Sequence, residues 1–151
     1  MINTPSKINR WMLFKLPAAW LSGVRLSLIS DSRCEVKVKF KWINQNPYRS
    51  MFWAVQGMAA ELSTGILLTQ KIKKSERNIS MLVTQNKASF TKKARGKIVF
   101  TCQQGDELDV ILNKAISSGE GQTLWMHSTG LDTAGDVVSS FSFEWSVKVK
   151  N

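Results

Sequence analysis

Residues 51–70 read Met51-Phe-Trp-Ala-Val-Gln-Gly-Met-Ala-Ala-Glu61-Leu-Ser-Thr-Gly65-Ile-Leu-Leu-Thr-Gln70. Met51, Val55, Met58, Leu62 and Ile66 recur at spacings of three and four, the period of a helix. The stretch has no Lys or Arg and a single carboxylate, Glu61. A helix of this kind has almost no solvated face and needs cover on most sides. In a chain of 151 residues with several strand patterns, a curved antiparallel sheet is the natural cover. The spacing therefore predicts one long central helix over 51–70, with Ser50 as its cap.

The flanks supply the sheet. Upstream, Cys34, Val36, Val38, Phe40 and Trp42 alternate with Arg33, Glu35, Lys37, Lys39 and Lys41, giving one dry and one basic face. A strand over 20–30 precedes it, across the Asp31-Ser32 turn. Ahead of that, Ile8, Trp11, Met12 and Leu16 form the stripe of a short helix over 5–16, stopped by Pro17. Downstream, Lys71, Lys73 and Lys74 mark the emergence of the long helix into solvent. Strands are predicted over 79–90 and 97–102, joined as a hairpin by Thr91-Lys92-Lys93-Ala94-Arg95-Gly96. A second helix over 105–117 carries Leu108, Ile111, Leu112 and Ala115 on one face. Strands over 122–130 and 140–149 close the pattern. Short turns between paired strands make the sheet antiparallel, so the fold class is α+β with about six strands. The chain reads as one domain over 1–151.

Composition narrows the function. A hydrophobic fraction of 43% argues against disorder. No apolar run approaches the roughly 18 residues of a membrane span, and Arg10 and Lys15 break up anything resembling a signal peptide. Cys34 and Cys102 are too few and too distant for a disulfide framework or a four-ligand zinc site, which points to a reducing cytoplasm. A single histidine, His127, leaves little for imidazole chemistry and reads as structural. The net charge of +10 favours polyanionic partners. No nucleic-acid-binding motif accompanies it, and strict alternation makes Lys37, Lys39 and Lys41 read as a solvated face. Six Trp against one Tyr imply rings in a core, pocket or subunit interface.

Glu61 is the sharpest candidate for chemistry. On a helical wheel it lies beside Ala54, Gly57, Met58 and Gly65, small or flexible neighbours that leave room, with Gln56 and Ser63 opposite. A partly buried carboxylate has a raised pKa and suits general-base work. It equally suits a hydrogen bond to a strand or to a subunit partner.

The segment Asn46-Pro-Tyr-Arg-Ser-Met-Phe-Trp-Ala-Val-Gln-Gly-Met-Ala-Ala-Glu61 resembles the central-helix motif of hotdog-fold acyl-CoA thioesterases. It is most similar to an uncharacterised branch with a like N-terminal helix and hairpin. The resemblance implies the same architecture, a long helix wrapped by an antiparallel sheet. It places Glu61 as the carboxylate that activates water or attacks the thioester carbonyl, and Asn46 as the residue that orients substrate or water. Phe52, Trp53 and Ala54 fall at a His-Gly-Gly-like step, where a backbone N–H at the helix start polarises the thioester oxygen. With Gly57, Met58 and Gly65 they make the implied substrate site. Lys92, Lys93 and Arg95 would meet coenzyme A phosphates, or else keep a solvated hairpin tip from aggregating. The implied partner is an acyl-CoA-like small molecule, with coenzyme A thioester as substrate and no separate cofactor or metal. The implied assembly is a homodimer or a dimer of dimers. Phe52 and Trp53 depart from the small residues of the motif, so a non-hydrolysing binder of acyl-CoA or a lipid stays open beside the enzyme.

Overall fold

The computed structural model describes residues 4–151. Its elements run α1 (Pro5–Lys15), α2 (Pro17–Leu21), β1 (Arg25–Ile29), β2 (Cys34–Lys39), α3 (Trp53–Lys74), β3 (Ile79–Phe90), β4 (Lys97–Cys102), α4 (Gly105–Ser118), β5 (Gln122–Leu131) and β6 (Val137–Val149). The strands form one six-stranded sheet in the order β1-β2-β4-β5-β6-β3, and every pairing is antiparallel. The inner faces of β2, β4 and β6 bury Val36, Val38, Ile98, Phe100, Phe141, Phe143 and Trp145, and Ala59, Ala60, Leu67 and Leu68 of α3 are buried in the same core.

The long helix exists as predicted, with different ends. It starts at Trp53, has Phe52 as its N-cap, and takes no side-chain cap. Ser50 is used elsewhere, bonded through its Oγ to Asn46, while the Met51 N–H bonds to Ala94 O. At the other end the helix continues to Lys74. Lys71 does not mark emergence into solvent: it is buried and bonds Asp109 of α4 at 2.8 Å. The helix is also less covered than its composition demands. Trp53 and Glu61 are exposed, and Ala54, Gly57, Met58, Leu62 and Gly65 are only half-buried.

The predicted hairpin over 91–96 does not form. β3 pairs with β6, from Ile79↔Val149 to Phe90↔Ser139, and β4 sits between β2 and β5. The segment 91–96 is instead a crossing. Thr91 N–H bonds Val138 O at one end, and Ala94 O and Gly96 O accept from Met51 and Phe40 at the other. A basic, Gly-ended hexapeptide reads as a tight turn from local chemistry alone; long-range pairing overrides it here.

Two smaller departures arise at the turns around Pro17 and Gly23, and two lie elsewhere. Pro17 stops α1 and also opens α2, because a proline fits the first turn of a helix. Gly23, at φ +90°, then reverses the chain, so the first strand starts at Arg25 and not near Trp20. β2 ends at Lys39: Phe40 is half-buried, and Trp42 lies exposed in a 3-10 turn, Trp42–Asn44, outside the dry face. Trp11, assigned to the apolar stripe of α1, is exposed, whereas Met12 is buried.

Candidate functional site

Glu61 opens onto a cleft of ≈ 320 Å³ lined by Trp53, Ala54, Gly57, Met58, Val83, Asn86, Phe141 and Phe143. All of its helical members come from the uncovered stripe of α3. Spacings of three and four place them on one side, two turns running from the helix start to the carboxylate. The opposite side of α3 holds polar residues that the sheet has captured. Gln56 Oε1 accepts from Ser139 Oγ at 2.8 Å, and Ser63 Oγ donates to Ser128 Oγ at 2.7 Å. At the border with the open side, one turn beyond Glu61, Thr64 Oγ1 accepts from Trp145 Nε1–H at 2.9 Å. These bonds fix the rotation of the helix about its axis and so aim Glu61 at the cleft.

The Glu61 side chain reaches solvent, yet the helix and strand around it desolvate the carboxyl enough to hold its pKa above the ordinary carboxylate range. No cation forms an ion pair with it among the described residues. The first turn of α3, uncapped by any side chain, ends in the same cleft at Trp53 and Ala54. The Val55 and Gln56 N–H groups bond Phe52 O, whereas those of Trp53 and Ala54 have no backbone acceptor among the described residues and carry the positive end of the dipole.

The other expected site residues are distributed unevenly. Gly57 lines the cleft, and a Cβ there would meet the Phe141 ring at 3.5 Å. Gly65 does not open space for a ligand. A Cβ on it would stand 3.2 Å from Trp145 Cζ2, so the glycine lets that ring seat against the helix. Asn46 lies in a second cleft of ≈ 520 Å³, together with Phe52, Gln56, Lys92 and Lys93; Trp53 borders both clefts. Its side chain builds the loop: the Oδ1 accepts from Tyr48 N–H at 2.9 Å and Ser50 N–H at 3.2 Å, and the Nδ2 donates to Ser50 Oγ at 2.9 Å. Lys92 is held between Asp132 at 2.6 Å and Asp136 at 2.9 Å, and both carboxylates raise its pKa. Arg95 Nε–H donates to Arg49 O at 3.2 Å. Lys93 Nζ reaches only Tyr48 O at 3.5 Å and is the least engaged of the three.

Asn86 is the residue that sequence reading missed. It enters the cleft because a bulge between Val83 and Gln85 shifts the register, pairing Val83 with Trp145 and Asn86 with Phe143. Strict alternation puts 83 and 86 on opposite faces; the extra residue puts both inside. His127 is not buried. It projects from β5, with its Nδ1 2.7 Å from Ser142 Oγ on β6. Cys34 and Cys102 are free, buried and directly opposed across β2 and β4. Burial raises both thiols, Cys102 to about 11, so neither is a nucleophile.

No curated protein sequence matches the chain. Solved structures do. Protein PA5026 of Pseudomonas aeruginosa, described as of unknown function and a "probable thioesterase", superimposes with a TM-score of 0.83 over 99% of each chain at 18% identity. Protein OLEI01261 of Chlorobaculum tepidum, also of unknown function, gives 0.81 over 98% of each at 14%. The thioesterase HI1161 of Haemophilus influenzae gives 0.76 over 99% of this chain and 93% of its own at 11%. At these identities the likeness establishes the fold, which is the hotdog fold of thioesterases. A family model matches residues 5–147, and the chain accordingly belongs to the DUF4442 family, a domain family of unknown function.

Proposed function

We propose that the protein hydrolyses an acyl-CoA-like thioester in the Glu61 cleft. The observation that carries this reading is the meeting of three features in one cavity: a desolvated carboxylate, an uncapped helix start at Trp53 and Ala54, and apolar walls from Met58, Val83, Phe141 and Phe143. The Glu61 carboxylate takes a proton from water as the water oxygen bonds to the thioester carbonyl carbon. Backbone N–H groups of the helix start and the Asn86 amide are the available donors for the oxygen that becomes negative. Collapse of the intermediate breaks the C–S bond, and the proton held by Glu61 goes to the leaving thiolate. The resemblance to thioesterase structures supports the reaction class.

The cleft wall formed by Val83 and Asn86 belongs to β3, which pairs on one side only. A second copy adding to that free edge would deepen the cleft, which favours a working homodimer. Phe52 and Trp53, exposed at the entrance, favour the second reading, a binder that retains its ligand. Purified protein offered a panel of acyl-CoAs with a thiol reporter separates the two. Thiol release that disappears in Glu61→Ala supports hydrolysis. Full turnover by that variant removes Glu61 from the mechanism, and saturable binding without thiol release selects the binder.

A further inference from the structure

The excess positive charge is not spread evenly. Residues 5–30 contain Lys7, Arg10, Lys15 and Arg25 and no carboxylate, and residues 36–60 contain Lys37, Lys39, Lys41 and Arg49 and no carboxylate. The fold brings parts of both segments to one edge of the sheet. Arg25 of β1 stands directly opposite Lys37 of β2, and Lys39 stands opposite Lys97 of β4. Directly opposed residues project from the same face of a sheet, and like charges so placed repel. Among the described residues, the ion pairs involve Arg33, Lys71, Lys74 and Lys92 and none of these four cations. The arrangement costs stability, and the carboxylate on the same face of β2, Glu35, is taken by Arg33.

Beside this basic face runs an apolar ridge. Trp42 is 82% exposed, Leu21 64% and Ile43 53%. One buried side chain ties ridge and face together. Asn44 Nδ2 donates to Ser22 O, at the end of α2, and to Lys39 O, at the end of β2, both at 2.9 Å. That bond sets Trp42 and Ile43 beside Leu21, next to the lysine face. The Arg25 guanidinium lies 3.4 Å from the centre of the Trp20 ring and joins α2 to the same face. The whole surface is on the β1–β2 edge, at the far end of the sheet from the free edge of β3, so pairing at β3 leaves it open.

We propose that this surface docks on an anionic lipid bilayer. Trp42, Leu21 and Ile43 enter the headgroup region, and Arg25, Lys37, Lys39 and Lys97 meet lipid phosphates. Charge complementarity selects an anionic partner. The ridge selects a bilayer over a nucleic acid: Leu21 and Ile43 cannot stack on bases, whereas Trp beside aliphatic side chains is the composition of an interfacial anchor. Docking of this kind does not depend on hydrolysis at Glu61.

Co-sedimentation of the full chain with vesicles of phosphatidylcholine alone, and of phosphatidylcholine with phosphatidylglycerol, tests the proposal. Binding to the anionic vesicles alone, a blue shift of Trp emission, and release by salt are expected. The double variant Lys37→Gln with Lys39→Gln should bind about tenfold more weakly or less. Trp42→Ser with Ile43→Ser should lose the blue shift; if it does not fold by circular dichroism, the lysine variant decides alone. No sedimentation, equal binding to neutral vesicles, affinity unchanged in the lysine variant, or displacement of the vesicles by a single-stranded oligonucleotide overturns it.

Discussion

The two sides of α3 are built from similar residues and do opposite things. On the side facing the sheet, Gln56 and Ser63 are buried and find partners on β6 and β5, and Thr64, at the border of the two sides, is buried against Trp145 of β6. On the open side, Glu61 is the one ionisable group along two turns, and no counter-charge among the described residues reaches it. Polar groups that are paired hold the helix in place, and the one left without a partner is free for chemistry. The difference lies in what the sheet offers: Ser128, Ser139 and Trp145 present hydrogen-bonding groups on the inner face, whereas the cleft offers aromatic rings and one amide.

Changes on the open side should abolish function and spare stability. Glu61→Gln is expected to lower thioester turnover by about 10²–10⁴-fold, the usual range for loss of a general base, with an unchanged circular dichroism spectrum. Changes on the sheet side should do the reverse. Thr64→Val strands the buried Trp145 N–H, and Ser139→Ala strands Gln56 Oε1. Each should cost about 1–3 kcal/mol, read as a lower denaturant midpoint. Turnover per folded molecule should fall far less than in Glu61→Gln, through the lost aim of the helix alone.

A pH titration sharpens the contrast. The folded-state pKa of Glu61 is raised by desolvation, so the folded protein holds this proton to higher pH than the unfolded chain does. Stability contributed by Glu61 is therefore present below the unfolded pKa and is lost as pH rises through the folded one. Glu61→Gln should flatten that fall between the two values in urea titrations. The same pKa should appear as an acid limb in turnover, displaced upward from an ordinary glutamate. The smallest effect is expected at Lys92. Its bonds to Asp132 and Asp136 are screened by solvent and already occupy the ammonium, so Lys92→Ala should change the KM for an acyl-CoA less than Lys93→Ala does.

The hydrophobic pattern was enough to find α3 and the sheet that wraps it, because burial writes its period directly into the chain. It also isolated Glu61, the one charge in an apolar run. It could not order the strands. Local turn chemistry at 91–96 argued for a β3–β4 hairpin, and nothing local announces that β3 pairs with the C-terminal strand. Asn86 escaped for a related reason. A single bulged residue reverses which face it occupies, and Gln85 next to it is equally polar. Gln56 and Ser63 could be placed opposite Glu61 but not given partners, since the serines they bond are more than sixty positions away.

The pairing of β3 with β6 carries a consequence for how the chain assembles. Ile79 meets Val149, so one end of the sheet is joined by residues from the middle and the extreme end of the sequence. Closing so long a loop makes non-local pairing slow. During synthesis β1, β2 and α3 emerge long before β6 exists, and β3, twelve residues of unpaired strand, must wait until residues 137–149 have been made. Deleting residues 145–151 would leave the part of β3 that holds Val83 without a partner, and with it one wall of the Glu61 cleft.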